Sequence, residues 1–333
     1  MYEDICVCEC KVAMNSSSAN LLNVYDQAYT VDHDIVTISK IIVAVFMSLF
    51  FVYINCIMFF ALSSKSVFYE TPRYILFGHM LLNDSVQLLI MTALYALSFT
   101  FLSVVRALCS FMVLLVTCTS QNAPLTLALM SMERYIAICL PLRHGTLVTP
   151  KSTGIALGII WFLILLNLIT DVMFELITDP SLFLKTTWCT REKLFVARWQ
   201  YDKAQGVDIV FFVSVTVIIL FTYVAIIITA RNVSSNKQSA IKAHRTVLLH
   251  LIQLALCVNT FLFGTIERTL YMMAGSTNNL FIQLRYLNFL IVMILPRCLS
   301  PLIYGLRDDA VRPMFRYYFC YRPNRIKPVV HVA

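Results

Sequence analysis

An arginine between an acid and a tyrosine, Glu133-Arg134-Tyr135, follows a long apolar stretch of the sequence. A charged side chain at the end of a membrane-spanning helix is costly unless it is paired or faces a water-accessible interior, so Arg134 is a functional candidate. Glu133 is a ready local partner for it. We interpret the two side chains as a switch, an ion pair that holds a helix bundle closed until something pulls it apart.

Polar residues also occur inside other apolar segments. Asn55, Asp84 and Ser300 each lie in a different segment, and we expect them to form one polar site within the membrane. Two interpretations of Asp84 remain open: it binds sodium or water in a resting state, or it is a hub of structural hydrogen bonds. Arg297 lies one turn before Pro301, and the sequence assigns it no role.

The last apolar segment contains a candidate hinge. Pro301 lacks a backbone N–H, so it interrupts the hydrogen bonds of its helix and favours bending there. Tyr304 follows one turn later and would be free to swing toward the bundle interior. A static kink is the alternative that the sequence leaves open.

These residues need a membrane-spanning scaffold, and the composition predicts one. The chain of 333 residues is 59% hydrophobic and 13% charged, whereas soluble domains carry about 25% charged residues. The apolar residues form continuous blocks, and roughly 20 residues of helix cross a bilayer; a membrane barrel would show short alternating strands instead. We therefore predict an all-α membrane protein with a seven-transmembrane helix bundle. The predicted spans are 38–62, 74–99, 107–138, 153–176, 207–230, 246–272 and 281–305.

Two segments flank the predicted bundle. Residues 1–37 are expected to be extracellular, residues 38–305 to form the bundle, and residues 306–333 to form a short amphipathic helix and a cytoplasmic tail. Basic residues concentrate in alternate loops and in the tail, with the loop near 179–206 as an exception, which predicts a multi-pass protein with its N-terminus outside and its C-terminus in the cytoplasm. Asn15, in an Asn-Ser-Ser sequon of the outer segment, is then a predicted glycosylation site.

Other functional classes fit the sequence less well. The net charge of +8 is explained by basic loops beside anionic membrane lipids, so we expect no nucleic-acid partner. The sequence contains no phosphate-binding glycine loop and no nucleophile elbow, so we predict neither an enzyme nor a cofactor. Cys6, Cys8 and Cys10 have no histidine nearby, and we expect no metal site there. Cys320 is a candidate for palmitoylation, with an unmodified thiol as the alternative.

Several motifs occur in a characteristic order along the apolar segments. Residues 132–139 read Met-Glu-Arg-Tyr-Ile-Ala-Ile-Cys, residues 242–246 read Lys-Ala-His-Arg-Thr, and residues 300–307 read Ser-Pro-Leu-Ile-Tyr-Gly-Leu-Arg. Over residues 38–318 the chain resembles the rhodopsin-like G-protein-coupled receptors, and within them the odorant receptors of a fish type. Other positions that match this family are Asn55, Asp84, Cys109, Trp161, Cys189 and Tyr223.

The resemblance implies a receptor function. A small-molecule odorant would bind in the outer half of the bundle and favour a state that activates a heterotrimeric G protein, expected to be of the stimulatory olfactory type. Glu133 replaces the usual aspartate and Ser300 the usual asparagine, so the inner hydrogen-bond network is expected to differ. The resemblance also implies a disulfide between Cys109 and Cys189. It gives switch or coupling roles to Glu133, Arg134, Tyr135, Tyr223, Pro301 and Tyr304.

The ligand cavity is placed by helical spacing on the third, sixth and seventh spans. The mixture of apolar and hydrogen-bonding side chains there is typical of small-molecule sites, although each residue could instead serve bundle packing. A non-olfactory rhodopsin-like receptor is the alternative within the family, and a polytopic transporter is the alternative outside it. The candidate ligand-binding residues are Val116, Thr117, Ser120, Gln121, Val258, Phe261, Leu262, Thr265, Tyr286, Leu290 and Met293.

Overall fold

The computed structural model describes residues 35–64, 66–100, 104–187, 189, 194–233, 255, 266, 269–270, 279–299 and 311–319. Its helices are α1 (Ile35–Ser63), α2 (Ser66–Glu70), α3 (Pro72–Thr100), α4 (Arg106–Cys139), α5 (Pro141–Leu147), α6 (Pro150–Thr178), α7 (Arg198–Val233), α8 (Asn279–Asn288) and α9 (Val311–Phe319). A 3₁₀ helix covers Pro180–Leu184, and a π-helix continues α8 over Phe289–Ile294. The strands are β1 (Val104–Val105) and β2 (Thr186–Thr187).

The first five predicted spans are confirmed. Within the described residues, five helices are long and apolar enough to cross a membrane, namely α1, α3, α4, α6 and α7. The predicted seventh span corresponds to the helical residues 279–299, and its last residues lie outside the described ones. Of the sixth span, only residues 255, 266 and 269–270 are described, and they are helical. The boundaries of the flanking segments stay predictions.

Prolines mark where several helices begin. Pro72, Pro141 and Pro150 open α3, α5 and α6, positions at which the missing N–H costs nothing because first-turn amides have no partner inside the helix. Thr149 also caps α6: its hydroxyl accepts from the Ser152 amide at 3.1 Å, and the Ser152 hydroxyl accepts from the Thr149 amide at 2.9 Å. The short sequence Thr-Pro-Lys-Ser therefore determines where the fourth span starts.

Helix α4 lies at the centre of the described bundle. It packs against α3, α6 and α7, while α1 packs against α3 and α9. The outward faces carry large apolar side chains, among them Phe46, Phe162 and Phe221, which are 67%, 63% and 58% exposed. Such continuous apolar exposure would be a liability in water and suits contact with lipid chains, so it agrees with the membrane assignment.

A disulfide and a small sheet organise one end of the bundle, which we call the disulfide end. Cys109, at the start of α4, is bonded to Cys189, as the resemblance implied. Beside it, β1 and β2 pair in antiparallel fashion, with Val104 opposite Thr187. The segment between α6 and α7 is thereby fixed over the ends of the helices. At the start of this segment, a hydrogen bond from the Ser181 hydroxyl lowers the pKa of the partly exposed Asp179 carboxyl.

The amphipathic helix predicted after the seventh span is present as α9. Val311, Met314 and Phe315 are buried on one face, and Arg316 is exposed. This face packs on α1, where the ring of Tyr318 lies 5.1 Å from that of Phe60. The predicted helix began at residue 306, and residues 306–310 lie outside the described ones.

Candidate functional site

The predicted switch pair, Glu133 and Arg134, lies at the end of α4 opposite the disulfide. Glu133 Oε2 is 3.3 Å from Arg134 Nε, and the side chain of Glu133 is only 9% exposed. Its other oxygen, Oε1, is 3.5 Å from Nε2 of His144 on α5, a contact that the sequence did not predict. Arg73, at the start of α3, also interacts electrostatically with this carboxylate. Glu133 therefore connects α4 to α5 through His144 and to the start of α3 through Arg73.

Of the other predicted switch residues, Tyr135 connects α4 to the fifth span, α7, and Cys139 makes a second contact between these helices. The ring of Tyr135 packs against that of Phe221 with 5.5 Å between centroids, and Cys139 Sγ is 3.2 Å from Thr229 Oγ1. Tyr223 is half-buried on the same helix, and in the described part of the chain no hydrogen bond joins it to Arg134. The predicted hinge residues Pro301 and Tyr304 lie outside the described residues.

Two residues of the predicted polar site are described and buried, one on the first span and one on the second span, α3. Asn55 and Asp84 are each 1% exposed, and Ser300 lies outside the described residues. Arg297 is also 1% exposed, with its Nε 3.9 Å from Asp84 Oδ1 and 3.0 Å from Gln87 Oε1. The sequence pointed to Arg297, an arginine in an apolar span, without showing what it faces.

A second polar cluster joins the second, third and fourth spans. The Trp161 indole donates to His79 Nε2 at 2.9 Å, so this imidazole accepts there and is neutral. Thr126 Oγ1 lies 3.5 Å from His79 Nδ1 and donates to Asn122 Oδ1 at 2.8 Å. Trp161 matched the family by position, whereas its partner His79 was recognised only as a polar residue in an apolar span.

A small cavity that is partly open to the exterior lies among α4, α6 and the start of α7 at the disulfide end. Thr117 is the predicted ligand-binding residue that lines it. The remaining lining combines aliphatic, aromatic and polar side chains. They are Ser110, Val113, Leu114, Leu168, Asp171, Val172, Glu175, Leu194, Phe195 and Gln200.

Both carboxylates in the cavity wall are neutralised by basic side chains. Lys203 Nζ is 2.7 Å from Asp171 Oδ1. Glu175, only 3% exposed, pairs with Arg106, which also donates to the Leu194 carbonyl at 2.9 Å. The cavity therefore presents no unpaired carboxylate from these two residues.

The other predicted ligand-binding residues that the structure describes do not line this cavity. Gln121 donates to Asp208 Oδ1 on α7 at 2.7 Å. Tyr286 lies against the first span, where its hydroxyl donates to the Lys40 carbonyl at 3.4 Å. Leu290 and Met293 pack against an apolar cluster that includes Ala44 and Leu88. Val116 and Ser120 are half-buried on α4, and Val258, Phe261, Leu262 and Thr265 lie outside the described residues.

Comparisons with known proteins agree with this architecture. Residues 54–304 match the profile of the 7 transmembrane receptor (rhodopsin family). The chain belongs to the rhodopsin family of seven-transmembrane receptors. This receptor is 34% identical to Odorant receptor 131-2 of Danio rerio over 276 residues, which cover 80% of the chain and 82% of the relative.

More distant relatives of the receptor carry olfactory names as well. It is 27% identical to Olfactory receptor 2M3 of Homo sapiens over 257 residues, covering 74% of the chain and 79% of the relative. It is 24% identical to Olfactory receptor-like protein COR4 of Gallus gallus over 270 residues, which cover 77% of the chain and 82% of the relative. The protein is thus a G-protein-coupled receptor with odorant-receptor relatives and is not an enzyme.

Proposed function

We propose that this receptor binds an uncharged small-molecule odorant in the cavity at the disulfide end and activates a heterotrimeric G protein at the opposite end. The observation that carries the proposal is that α4 contributes to both places. Thr117 lines the cavity, and Glu133 and Arg134 lie on the same helix about 24 Å farther along its axis, at 1.5 Å per residue. A ligand that shifts α4 therefore acts directly on the ion pair.

The cavity wall favours a ligand without net charge. Asp171 and Glu175 are already paired with Lys203 and Arg106, so a cationic ligand would have to displace a basic side chain. The buried Ser110 hydroxyl has no hydrogen-bond partner within the described residues and is suited to donate to a ligand oxygen. We infer a mainly apolar ligand with one or two hydrogen-bonding groups.

We further propose the orientation and the partner of the receptor. The disulfide end faces the outside of the plasma membrane together with a glycosylated Asn15, and α9 lies on the inner surface beside the lipid headgroups. The G protein is of the stimulatory olfactory type, and it docks near Arg134 when the sixth span moves outward. The odorant-receptor names of the relatives support this assignment.

A cyclic AMP reporter in cells that express the full chain tests the proposal. The panel contains volatile compounds, amines, amino acids and bile acids, each compared with untransfected cells. We expect an uncharged compound to raise cyclic AMP in a dose-dependent manner. Uptake of a compound into these cells without any G-protein response would contradict a receptor function and support a transporter.

A matched pair of isosteric variants tests the position of the ligand. Thr117→Val removes a hydroxyl from the cavity wall, whereas Thr178→Val removes one from the exposed end of α6. For the first compound found active in the panel, we expect only Thr117→Val to raise the half-maximal concentration, by about tenfold for a lost hydrogen bond. Equal responses from both variants and the parent would place the ligand elsewhere.

A further inference from the structure

A buried arginine lies beside the buried acid of the intramembrane polar site. Asp84 and Arg297 are each 1% exposed, and Arg297 Nε lies 3.9 Å from Asp84 Oδ1. The same Nε donates to Gln87 Oε1 at 3.0 Å. Gln87 follows Asp84 by three residues on α3, so one face of that helix supplies both oxygens that the guanidinium meets.

A carboxylate buried in a helix bundle needs a compensating positive charge. Removing it from water is costly, and the cost is offset by a cation held close to it. That cation is either a mobile ion or a side chain of the protein. Arg297 provides the side chain, and the hydrogen bond to Gln87 fixes the orientation of the guanidinium toward α3.

Among the described residues, the arginine beside Asp84 argues against a sodium ion there. A hard cation requires several oxygen ligands, whereas the group beside Asp84 Oδ1 is the Arg297 guanidinium, which carries only hydrogen-bond donors. A cation beside Asp84 would also be repelled by the guanidinium a few ångströms away. We propose that Arg297 is the fixed counter-ion of Asp84 and that it excludes sodium from the polar site between the second and seventh spans.

The first test compares the thermal unfolding of the purified full-length receptor in sodium chloride and in choline chloride, both at about 0.15 M. It needs neither a ligand nor a G protein, so its outcome is independent of the proposed function. We expect the two midpoints to agree within about 1 °C, because an ion that does not bind the folded state does not stabilise it. A larger rise in sodium chloride that Asp84→Asn abolishes would overturn the proposal.

The second test is a double-mutant cycle on the same measurement. Asp84→Asn and Arg297→Gln each leave one buried charge without its counter-ion, whereas the double variant leaves none. We expect the double variant to unfold at a higher temperature than the sum of the two single losses predicts. The exposed Arg198 provides the control, and Arg198→Gln combined with Asp84→Asn should be additive.

The double-mutant cycle can refute the inference through the unfolding midpoints or, where these cannot be measured, through cell-surface staining. Strict additivity of Asp84→Asn and Arg297→Gln would show that the two charges do not stabilise each other. If a single variant is not recovered from the membrane, cell-surface staining replaces the unfolding midpoint. Recovery of surface staining in the double variant then supports the pair, and loss of staining in the double variant as complete as in either single variant refutes it.

Discussion

Neutralising Glu133 is expected to activate the receptor without a ligand. In Glu133→Gln the carboxylate that lies 3.3 Å from Arg134 Nε becomes a neutral amide, while the size of the side chain and one acceptor oxygen are retained. The remaining oxygen can still face His144 Nε2, which lies 3.5 Å from Glu133 Oε1, so α5 keeps its contact with α4. The change therefore removes charge from the switch and leaves packing largely intact.

The expected size of the effect follows from the distance and the burial of the pair. At 3.3 Å and an effective dielectric constant of ~20, two unit charges attract each other by roughly 5 kcal/mol. The carboxylate is 9% exposed and the guanidinium 24%, so desolvation and solvent screening cancel most of this energy. A net loss of about 1.4 kcal/mol from the resting state shifts the equilibrium about tenfold toward the active state.

The assay measures the cyclic AMP concentration in cells without added ligand. Each value is normalised to the amount of receptor at the cell surface, which is measured by staining an epitope fused to the N-terminus. Glu133→Asp, which keeps the charge, should signal like the parent, and Lys151→Gln removes an exposed charge at the same end of the bundle as a control. Arg134→Ala should reach the surface but lose coupling. Basal signalling of Glu133→Gln within about twofold of the parent, at equal surface staining, would refute the switch.

Three further predictions concern the scaffold. Cys109→Ser and Cys189→Ser should each abolish surface staining or ligand response, because the bridge closes a loop of 80 residues and stabilises the fold by about 4.5 kcal/mol in the chain-entropy model; parent-like behaviour of both would show that it is dispensable. Trp161→Phe should lower the unfolding midpoint measurably, since the lost hydrogen bond to His79 contributes about 1 kcal/mol, and an unchanged midpoint would contradict that role. Asn15→Gln should remove a glycosidase-sensitive mass shift; a parent without such a shift would contradict the predicted outer N-terminus.

The spans were predictable from the sequence because local composition determines them. A helix in lipid satisfies its own backbone hydrogen bonds, so a continuous apolar block of sufficient length is enough to predict it. For the same reason the prolines at residues 72, 141 and 150 indicate where helices begin. The pair of Glu133 with Arg134 was equally accessible, since the two residues are adjacent in the chain.

The residues that line the cavity were harder to predict, because helical spacing does not fix how a helix is rotated in the bundle. Thr117 lines the cavity, whereas Gln121, one turn later, bonds to Asp208 on the fifth span. The cavity acids Asp171 and Glu175 were missed because their position on the fourth span gives no indication of a neighbouring space. Only packing of the fourth span against the third and fifth creates that space.

The sequence by itself determined the membrane class, the five described spans and the contact between Glu133 and Arg134, because these depend on composition and on neighbours along the chain. Only the tertiary structure decided which distant polar groups meet. Arg297 and Gln87 are 210 residues apart and Trp161 and His79 are 82 apart, yet each pair shares a hydrogen bond. The physical reason is that a polar group inside a bundle must find its partner on another helix, and which helix that is depends on packing rather than on sequence order.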